Sequence, residues 1–254
     1  MHSINSVFYP PIIAHRGASA LAPENTAAAF RKAKALGAKW VELDVTLTKE
    51  GEVVVIHDDT LERTTNGVGR VIDHSYPFLK TLDAGSWFGK AFANQRLLSL
   101  VETLQLLEQE QLFANIEMKT VVGHEHSLAE QVIQKIQLQH MAPSALLLSS
   151  FSKKTLHYVR KLSPTSVLGF LMDEWSTEWK AFCAEINAYS VNLNHDVLSL
   201  DRVHALKAEQ YRVTAYVVND PIRAEILFSW GVDAVFSDCP TSMLSYLNVS
   251  PSAT

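Results

Sequence analysis

The sequence predicts an α/β fold, a (β/α)8 TIM barrel that forms one domain over residues 1–254. Short apolar runs alternate with amphipathic helical patterns, which is typical of a buried parallel sheet covered by helices. A length of 254 residues is normal for one such barrel, and 47% hydrophobic residues supply a large core. An open doubly wound sheet is the alternative, but no glycine-rich dinucleotide-binding motif follows the first strand.

Strands are predicted where short apolar runs are bounded by turn-forming residues. The predicted strands are Pro11–His15, Lys39–Val45, Glu52–His57, Asn115–Met118, Ala145–Ser149, Ser166–Leu171, Ser190–Asn194, Val213–Val218 and Ala234–Ser237. Amphipathic periodicity predicts helices between most of these strands. The predicted helices are Thr26–Leu36, Leu100–Glu110, Leu128–Gln139, Lys153–Leu162, Leu200–Gln210 and Ile222–Trp230.

The third predicted strand follows the second too closely for a helix to lie between them. The dipeptide Glu50-Gly51 suits a two-residue hairpin loop, because glycine tolerates a positive φ. Counting back from that loop places Asp44 opposite His57. Glu42 would share their face, since residues i and i+2 of a strand point the same way. We therefore expect these three side chains to converge on one surface.

The segment from residue 58 to residue 98 shows no clear barrel periodicity and contains turn-forming and aromatic residues. We expect it to be a small insertion after the strand that ends at His57. At the carboxyl end of a barrel strand, such a segment would lie over the mouth, where active sites form. It would either contact a ligand there or form a surface loop with a small core of its own.

Composition excludes several classes of protein. A net charge of −5 and a pI near 6.0 argue against a nucleic-acid-binding surface. Two distant cysteines, Cys183 and Cys239, indicate neither a disulfide framework nor a zinc site. No leader peptide is indicated in the first twenty residues, and no run of eighteen apolar residues predicts a membrane span. A cytoplasmic enzyme is expected. Serine-hydrolase and P-loop motifs do not occur.

Three carboxylates, Glu42, Asp44 and Glu117, stand at the ends of predicted strands. Carboxylates that meet in a barrel mouth repel one another and lose solvation unless a cation lies between them. Oxygen ligands suit Mg²⁺, Ca²⁺ or Mn²⁺ better than zinc. A lone Glu-x-Asp is more often an ordinary ion-pair partner of Lys or Arg, but the second acidic strand end shifts the prediction toward one divalent cation.

Positive charge and two imidazoles are expected beside these carboxylates. Arg16 and Lys119 provide a forked donor and a point charge that suit phosphate oxygens. Lys119 can at the same time be the ion-pair partner of Glu117. His15 and His57 are the candidate acid and base, since histidine titrates near neutrality.

These residues lie in segments that resemble the glycerophosphodiester phosphodiesterase family. The resemblance spans about residues 11–245 and keeps the order of the family's motifs. The matching segments are His15-Arg16-Gly17, Pro23-Glu24-Asn25-Thr26, Glu42-Leu43-Asp44-Val45, His57-Asp58, Leu61-Glu62-Arg63-Thr64-Thr65-Asn66-Gly67, Asn115-Ile116-Glu117-Met118-Lys119, Ser150-Phe151, Tyr216-Val217-Val218-Asn219 and Gly231-Val232-Asp233-Ala234-Val235-Phe236-Ser237-Asp238-Cys239-Pro240.

The resemblance implies a phospholipase-C-like phosphodiesterase barrel with a small inserted subdomain. It implies hydrolysis of deacylated phospholipids, such as glycerophosphocholine or glycerophosphoethanolamine, to sn-glycerol 3-phosphate and an alcohol. The site residues that it implies are the ligands of a divalent ion, usually Mg²⁺ or Ca²⁺ (Glu42, Asp44, Glu117), an acid–base pair (His15, His57) and phosphate contacts (Arg16, Lys119). Tyr216, which stands where many members carry Trp, would pack against the substrate.

A hypothesis for the mechanism follows the related phospholipase C pattern. A glycerol hydroxyl polarised by the metal attacks phosphorus while His15 accepts its proton. His57 protonates the departing alcohol, and water then opens the cyclic phosphate. The sequence is equally compatible with the opposite roles of the two histidines.

Two other functions are alternatives to this one. A lysophospholipase D acting on single-chain lipids would need an apolar channel in the insertion. A barrel that binds polyol phosphates without cleaving them would lack a metal carboxylate or a histidine, and none is missing. The partner in each case is a small molecule. The sequence leaves the headgroup, the ion and the oligomeric state open, with a homodimer as one option.

Overall fold

The computed structural model describes residues 10–139 and 145–249. Its strands are β1 (Ile12–Ala14), β2 (Trp40–Leu47), β3 (Val53–Val55), β4 (Phe113–Met118), β5 (Leu146–Ser150), β6 (Leu168–Met172), β7 (Ser190–Asn194), β8 (Arg212–Tyr216) and β9 (Ala234–Ser237). Eight of them pair in parallel, and pairing of β1 with both β9 and β2 closes the barrel. β3 is antiparallel and pairs with the last part of β2. The predicted (β/α)8 barrel is confirmed. The expectation about a leader peptide concerns the first twenty residues, and residues 1–9 lie outside the described part of the chain.

Most of the helices connect successive barrel strands, one lies in the inserted segment, and the last follows the final strand. They are α1 (Ala27–Ala35), α2 (Tyr76–Leu79), α3 (Leu100–Gln109), α4 (Glu125–Leu138), α5 (Lys153–Leu162), α6 (Trp179–Glu185), α7 (Leu200–Ala208), α8 (Pro221–Ser229) and α9 (Pro240–Val249). Side-chain caps at Thr26, Ser99, Ser152, Ser199 and Asp220 fix where most of the predicted helices begin. Among the described helices, none combines the length and the apolar character that crossing a membrane requires.

The alternation of side chains along β2 decides which residues reach the barrel interior. Leu43 and Val45 face outward into the large core between sheet and helices. Trp40 faces inward and stacks on Phe113 with ring centroids 5.4 Å apart, so apolar rings fill the lower part of the interior. The polar residues that follow on the inward face of β2 are thereby raised to the carboxyl end of the barrel.

The predicted register of the β2–β3 hairpin is wrong by one residue. Val45 pairs with Val55, so Asp44 lies opposite Ile56 and not opposite His57. The reason is the loop, which has three residues because Thr48 N–H donates to Glu52 O across it. Gly51, with φ +86°, supplies the left-handed conformation that closes such a loop.

The segment between β3 and α3 forms an apolar cluster of its own. The clustered residues are Val54, Ile56, Leu61, Val71, Leu79, Leu82, Ala84 and Leu97. Val54 and Ile56 come from β3 and its end, so the barrel and the inserted segment share this cluster. The cluster holds the beginning of the segment beside the carboxyl end of β2. The apolar residues of this segment therefore pack together, while its role as a separate subdomain or as a ligand contact stays a prediction.

Candidate active site

The chain turns sharply after β1, and the turn brings Arg16 to the acidic end of β2. Arg16 has φ +54° and Gly17 has φ +82°. A side chain at Gly17 would also collide with the backbone of Ala29, only 2.7 Å from the position of a Cβ. The turn points the backbone N–H of Arg16 at Glu42, and it donates to Oε2 at 2.9 Å.

The three predicted carboxylates meet at the carboxyl ends of β2 and β4. Asp44 and Glu117 are direct partners in the register of these strands, and Glu42 precedes Asp44 on the same face. One carboxylate oxygen from each residue lies within 4.8 Å of the others. Glu42 and Asp44 are each 1% exposed, so bulk water does not screen the repulsion between them.

Neighbouring polar groups satisfy part of this cluster. Asn25 Nδ2 donates to Asp44 Oδ2 at 2.9 Å. Arg16 Nε lies 3.3 Å from the same oxygen, and Lys119 Nζ lies 3.1 Å from Glu117 Oε1. Asn25 was not among the predicted site residues. Its place in the Pro23–Thr26 motif is the signal that could have identified it. In the structure Asn25 has a left-handed φ of +57°, a conformation that asparagine adopts more readily than most residues.

Burial and mutual repulsion favour the protonated forms of two of these acids. Burial raises the pKa of Glu42 well above its usual value, and Asp44 and Glu117 add to the rise. Burial also raises the pKa of Glu117 to about 7, with a further contribution from Asp44. Burial and mutual repulsion therefore oppose the simultaneous ionisation of all three carboxylates.

This cluster fits a divalent cation. Glu42 Oε1 and Asp44 Oδ1 are buried and have no hydrogen-bond partner among the described residues. Buried carboxylate oxygens without partners are costly unless a cation neutralises them. An all-oxygen donor set is the one that Mg²⁺, Ca²⁺ and Mn²⁺ prefer.

Replacing Glu117 by Gln is expected to stabilise the protein in a chelator at pH 8. The pKa of about 7 in the folded state lies above the ordinary value of 4.5, so between these pH values folding takes up a proton. The stabilisation from this group is complete below pH 4.5 and is lost as pH rises through 7. Gln has no charge to bury. We expect its free energy of unfolding to exceed that of the wild type by about 1–3 kcal/mol at pH 8, and the difference to shrink toward pH 5. Thermal unfolding with EDTA at both pH values measures this, and a less stable variant at pH 8 would contradict it.

His15 follows β1 and is held by a carboxylate from the other end of the chain. Its Nδ1 lies 2.7 Å from Asp238 Oδ1, and Ser19 and Asn219 also donate to that carboxylate at 2.8 Å. Although burial opposes ionisation, these hydrogen bonds place the pKa of Asp238 well below its usual range. The Nε2 of His15 therefore faces the cluster, 3.8 Å from Glu42 Oε2. Asp238 was not among the predicted site residues, although it lies in the last matching segment.

His57 reaches the opposite side of the cluster despite the shifted register. It lies beyond the end of β3, where the pleat no longer fixes its direction. Asp58 Oδ1 holds its Nδ1 at 2.6 Å, and Nε2 lies 3.3 Å from Lys119 Nζ. Burial lowers the pKa of His57, and the charges of Arg16 and Lys119 lower it further. Although the Asp44 charge acts in the opposite direction, the net effect favours the neutral form of the imidazole.

Tyr216 lies at the carboxyl end of β8, and its ring forms part of the mouth. The ring packs edge-on against Phe151, whose own ring lies 5.9 Å from Lys119 Nζ. The hydroxyl donates to Met172 O at 2.8 Å and contacts Asp173 at 3.0 Å. Burial and the Asp173 charge raise the pKa of Tyr216 strongly, so it stays a neutral phenol.

The eight predicted site residues thus lie at one end of the barrel. Beside His15 and Arg16 a cavity of about 380 Å³ opens to solvent, and Ser19, Glu24 and Asp238 also line it. Its size suits a small polar molecule. Of the predicted site residues, His15 and Arg16 line this cavity, and the three carboxylates lie beside them through the contacts of Glu42 with His15 and Arg16.

Comparisons with known proteins point to one family. The model of the "Glycerophosphoryl diester phosphodiesterase family" matches residues 15–242. A glycerophosphodiester phosphodiesterase of Caldanaerobacter subterraneus subsp. tengcongensis is 35% identical, over 92% of this chain and 96% of that protein. One from Bacillus subtilis is 35% identical, over 90% of this chain and 83% of that protein.

A solved structure gives the same result for the fold. The Oleispira antarctica phosphodiesterase in complex with the product sn-glycerol-3-phosphate is 33% identical to this chain. It superposes with a TM-score of 0.92 and covers 95% of this chain and 98% of its own. With the family model spanning most of the sequence, the chain belongs to the glycerophosphoryl diester phosphodiesterase family.

Proposed function

We propose that this phosphodiesterase hydrolyses glycerophosphodiesters such as glycerophosphocholine and glycerophosphoethanolamine to sn-glycerol 3-phosphate and an alcohol, with a divalent cation and two histidines. One observation carries the proposal. Imidazoles stand on both sides of a buried acidic cluster, each held through Nδ1 by an aspartate. A relative in this family is described in complex with sn-glycerol-3-phosphate as its product.

Glu42, Asp44 and Glu117 would hold the cation, which we propose to be Mg²⁺, Ca²⁺ or Mn²⁺. When bound, a divalent ion neutralises charge on phosphoryl oxygens and lowers the pKa of a hydroxyl beside it. The chain supports this by fixing the ligands on two rigid, paired strands. Asn25 restrains Asp44 through a second pair of contacts, since Asp44 N–H also donates to Asn25 Oδ1 at 3.3 Å.

Arg16 and Lys119 would bind the phosphodiester anion. Although burial opposes charge, Asp44, Glu24 and Glu42 raise the pKa of Arg16, and Glu117 raises that of Lys119. Both side chains therefore stay cationic, Arg16 beside the cavity and Lys119 beside Glu117 and His57. The forked guanidinium can contact two phosphate oxygens, and the ammonium can contact a third.

The hydrogen bonds of His57 favour it as the base, the reverse of the order taken from phospholipase C. A lysine ammonium is a donor only, so His57 Nε2 at 3.3 Å from Lys119 Nζ is the unprotonated nitrogen. We propose that it takes the proton of a glycerol hydroxyl, whose oxygen forms a bond to phosphorus. The bond from phosphorus to the headgroup oxygen breaks, and His15 Nε2 gives that oxygen a proton. Water then opens the cyclic phosphate with the two roles exchanged.

Release of glycerol 3-phosphate tests the proposed function. The protein is treated with EDTA and then given Mg²⁺, Ca²⁺ or Mn²⁺, with glycerophosphocholine or glycerophosphoethanolamine as substrate. We expect no release with EDTA and restored release with at least one ion, with ³¹P NMR showing a cyclic phosphate before the monoester. Release in EDTA would contradict the metal requirement. Cleavage of lysophospholipids alone, or binding of sn-glycerol 3-phosphate without turnover, would replace the proposed activity by one of its alternatives.

A further inference from the structure

Arg63, in the inserted segment after β3, contacts two carboxylates from different parts of the chain. Its Nε and Nη2 donate to Asp58 Oδ2 and Oδ1 at 2.5 and 3.0 Å. Its Nη1 and Nη2 donate to Glu24 Oε2 and Oε1 at 2.7 and 2.8 Å. Glu24 lies in the loop between β1 and α1, so this single guanidinium joins the insertion to that loop.

Each of these carboxylates in turn holds a proposed site residue. Asp58 Oδ1 contacts His57 Nδ1 at 2.6 Å and so sets the direction of the imidazole. Glu24 Oε1 accepts from Arg16 Nη1 at 2.8 Å. Arg63 is therefore linked through Asp58 to His57, a proposed proton-transfer group. It is linked through Glu24 to Arg16, a proposed anion-binding group.

This arrangement differs from an ordinary surface ion pair, which contributes about 0–1 kcal/mol. The guanidinium donates two hydrogen bonds to each of the two carboxylates, and Glu24 is only 11% exposed. Hydrogen bonds from Arg63 are the largest cause that lowers the pKa of Asp58 to about 2. Burial alone would raise the pKa of Glu24, yet Arg63 and Arg16 together lower it. Both carboxylates therefore stay ionised and able to hold their partners.

We propose that Arg63 is a positioning residue, which fixes His57 through Asp58 and Arg16 through Glu24 and so aligns the two sides of the active site. Arg63 does not itself contact the acidic cluster in the described structure. The inserted segment thus has a role beyond covering the barrel. Leu61, two residues before Arg63, is part of its apolar cluster and holds this stretch of chain in place. The activity arm of the test rests on the proposed function, and the spectroscopic arm does not.

The geometry makes definite demands on substitutions. Lysine keeps the charge but has one nitrogen, so it cannot hold both carboxylates in forks. Methionine keeps the apolar part of the side chain and removes the charge. Alanine leaves a space between two carboxylates that is open to solvent, because Arg63 is 44% exposed. Free guanidinium can enter that space.

We expect Arg63→Met to lower kcat for glycerophosphodiesters by about 10- to 100-fold, which is typical of residues that orient the groups in a site. Arg63→Lys should fall between the wild type and Arg63→Met. Guanidinium chloride at low, non-denaturing concentration should raise the kcat of Arg63→Ala toward that of the wild type. NaCl at equal ionic strength should leave the kcat of this variant low. Arg70→Met is the matched control, because Arg70 is an exposed arginine of the same insertion. It should keep the kcat of the wild type.

The spectroscopic arm follows the proton on Nδ1 of His57 by NMR, without substrate. In the wild type, the short contact with Asp58 is expected to give this proton a downfield resonance. The resonance should be lost in Arg63→Ala and should return when guanidinium is added. An inactive wild type would refute the proposed function and leave this readout intact. Unchanged kcat in folded Arg63→Met, equal restoration by NaCl and guanidinium, or an unchanged resonance in Arg63→Ala would each overturn the positioning role.

Discussion

Replacing His15 or His57 by alanine is expected to lower kcat by about 10²- to 10⁴-fold. Both imidazoles have Nδ1 fixed by an aspartate and leave Nε2 directed at the acidic cluster or its lysine, the geometry needed for proton transfer. Neither is part of the apolar core, so circular dichroism and the melting temperature should change little. Turnover is measured with saturating divalent ion. His204→Ala, an exposed histidine on α7, is the matched control and should keep normal turnover.

The same two variants separate acid from base. A glycerol phosphodiester with a p-nitrophenol leaving group needs no protonation of the departing oxygen. If His57 is the base, His15→Ala should recover most of its turnover on this substrate and His57→Ala should not. Recovery of turnover in His57→Ala alone would instead make His15 the base and His57 the acid, as in the phospholipase C pattern. Near-normal turnover of both variants on glycerophosphocholine would refute the two-histidine proposal.

Replacing Asp44 by Asn is the second change for which we expect a very large effect. Asp44 is buried between Arg16, Asn25 and Glu117. Asparagine keeps its shape but removes the charge and replaces one carboxylate oxygen by an amide nitrogen. We expect turnover to fall by at least about 10²-fold, since divalent-ion affinity depends on the number of charged ligands. The melting temperature should also lose its dependence on Ca²⁺ or Mg²⁺, because the ion no longer binds the folded state tightly.

A control separates loss of the ion from general loss of negative charge. Asp196→Asn changes a carboxylate that follows β7 at the same end of the barrel and is 81% exposed. It should keep both turnover and the ion-dependent melting temperature. Isothermal titration with Ca²⁺ completes the test, because unchanged ion affinity in Asp44→Asn would exclude Asp44 as a ligand.

The convergence of Glu42, Asp44 and Glu117 could be predicted because it depends on local periodicity. Residues i and i+2 share a face of a strand, and parallel strands end at one edge, so acidic residues at strand ends must meet there. Short helices were harder to predict. α6 has seven residues and no side-chain cap, and α9 begins at Pro240, separated from the end of β9 by two residues, so neither gave a clear periodic signal.

The register of the β2–β3 hairpin shows why local prediction fails at turns. A two-residue and a three-residue loop differ by one residue, and the sequence Glu50-Gly51 suits either. The hydrogen bond between Thr48 and Glu52 selects the longer loop. His57 nevertheless reaches the site, because it lies past the strand end and Asp58 directs it.

By itself the sequence determined the barrel, the family and the residue types of the site, because apolar periodicity and short motifs are local properties of a chain. Tertiary structure alone decided which groups hold the histidines and the arginine in place. His15 and Asp238 are 223 residues apart in sequence, and Arg63 and Glu24 are 39 apart. Contacts at such separations exist only after the barrel closes β9 onto β1 and the apolar cluster of the insertion packs against β3. Closure is a property of the whole sheet, which no local pattern contains.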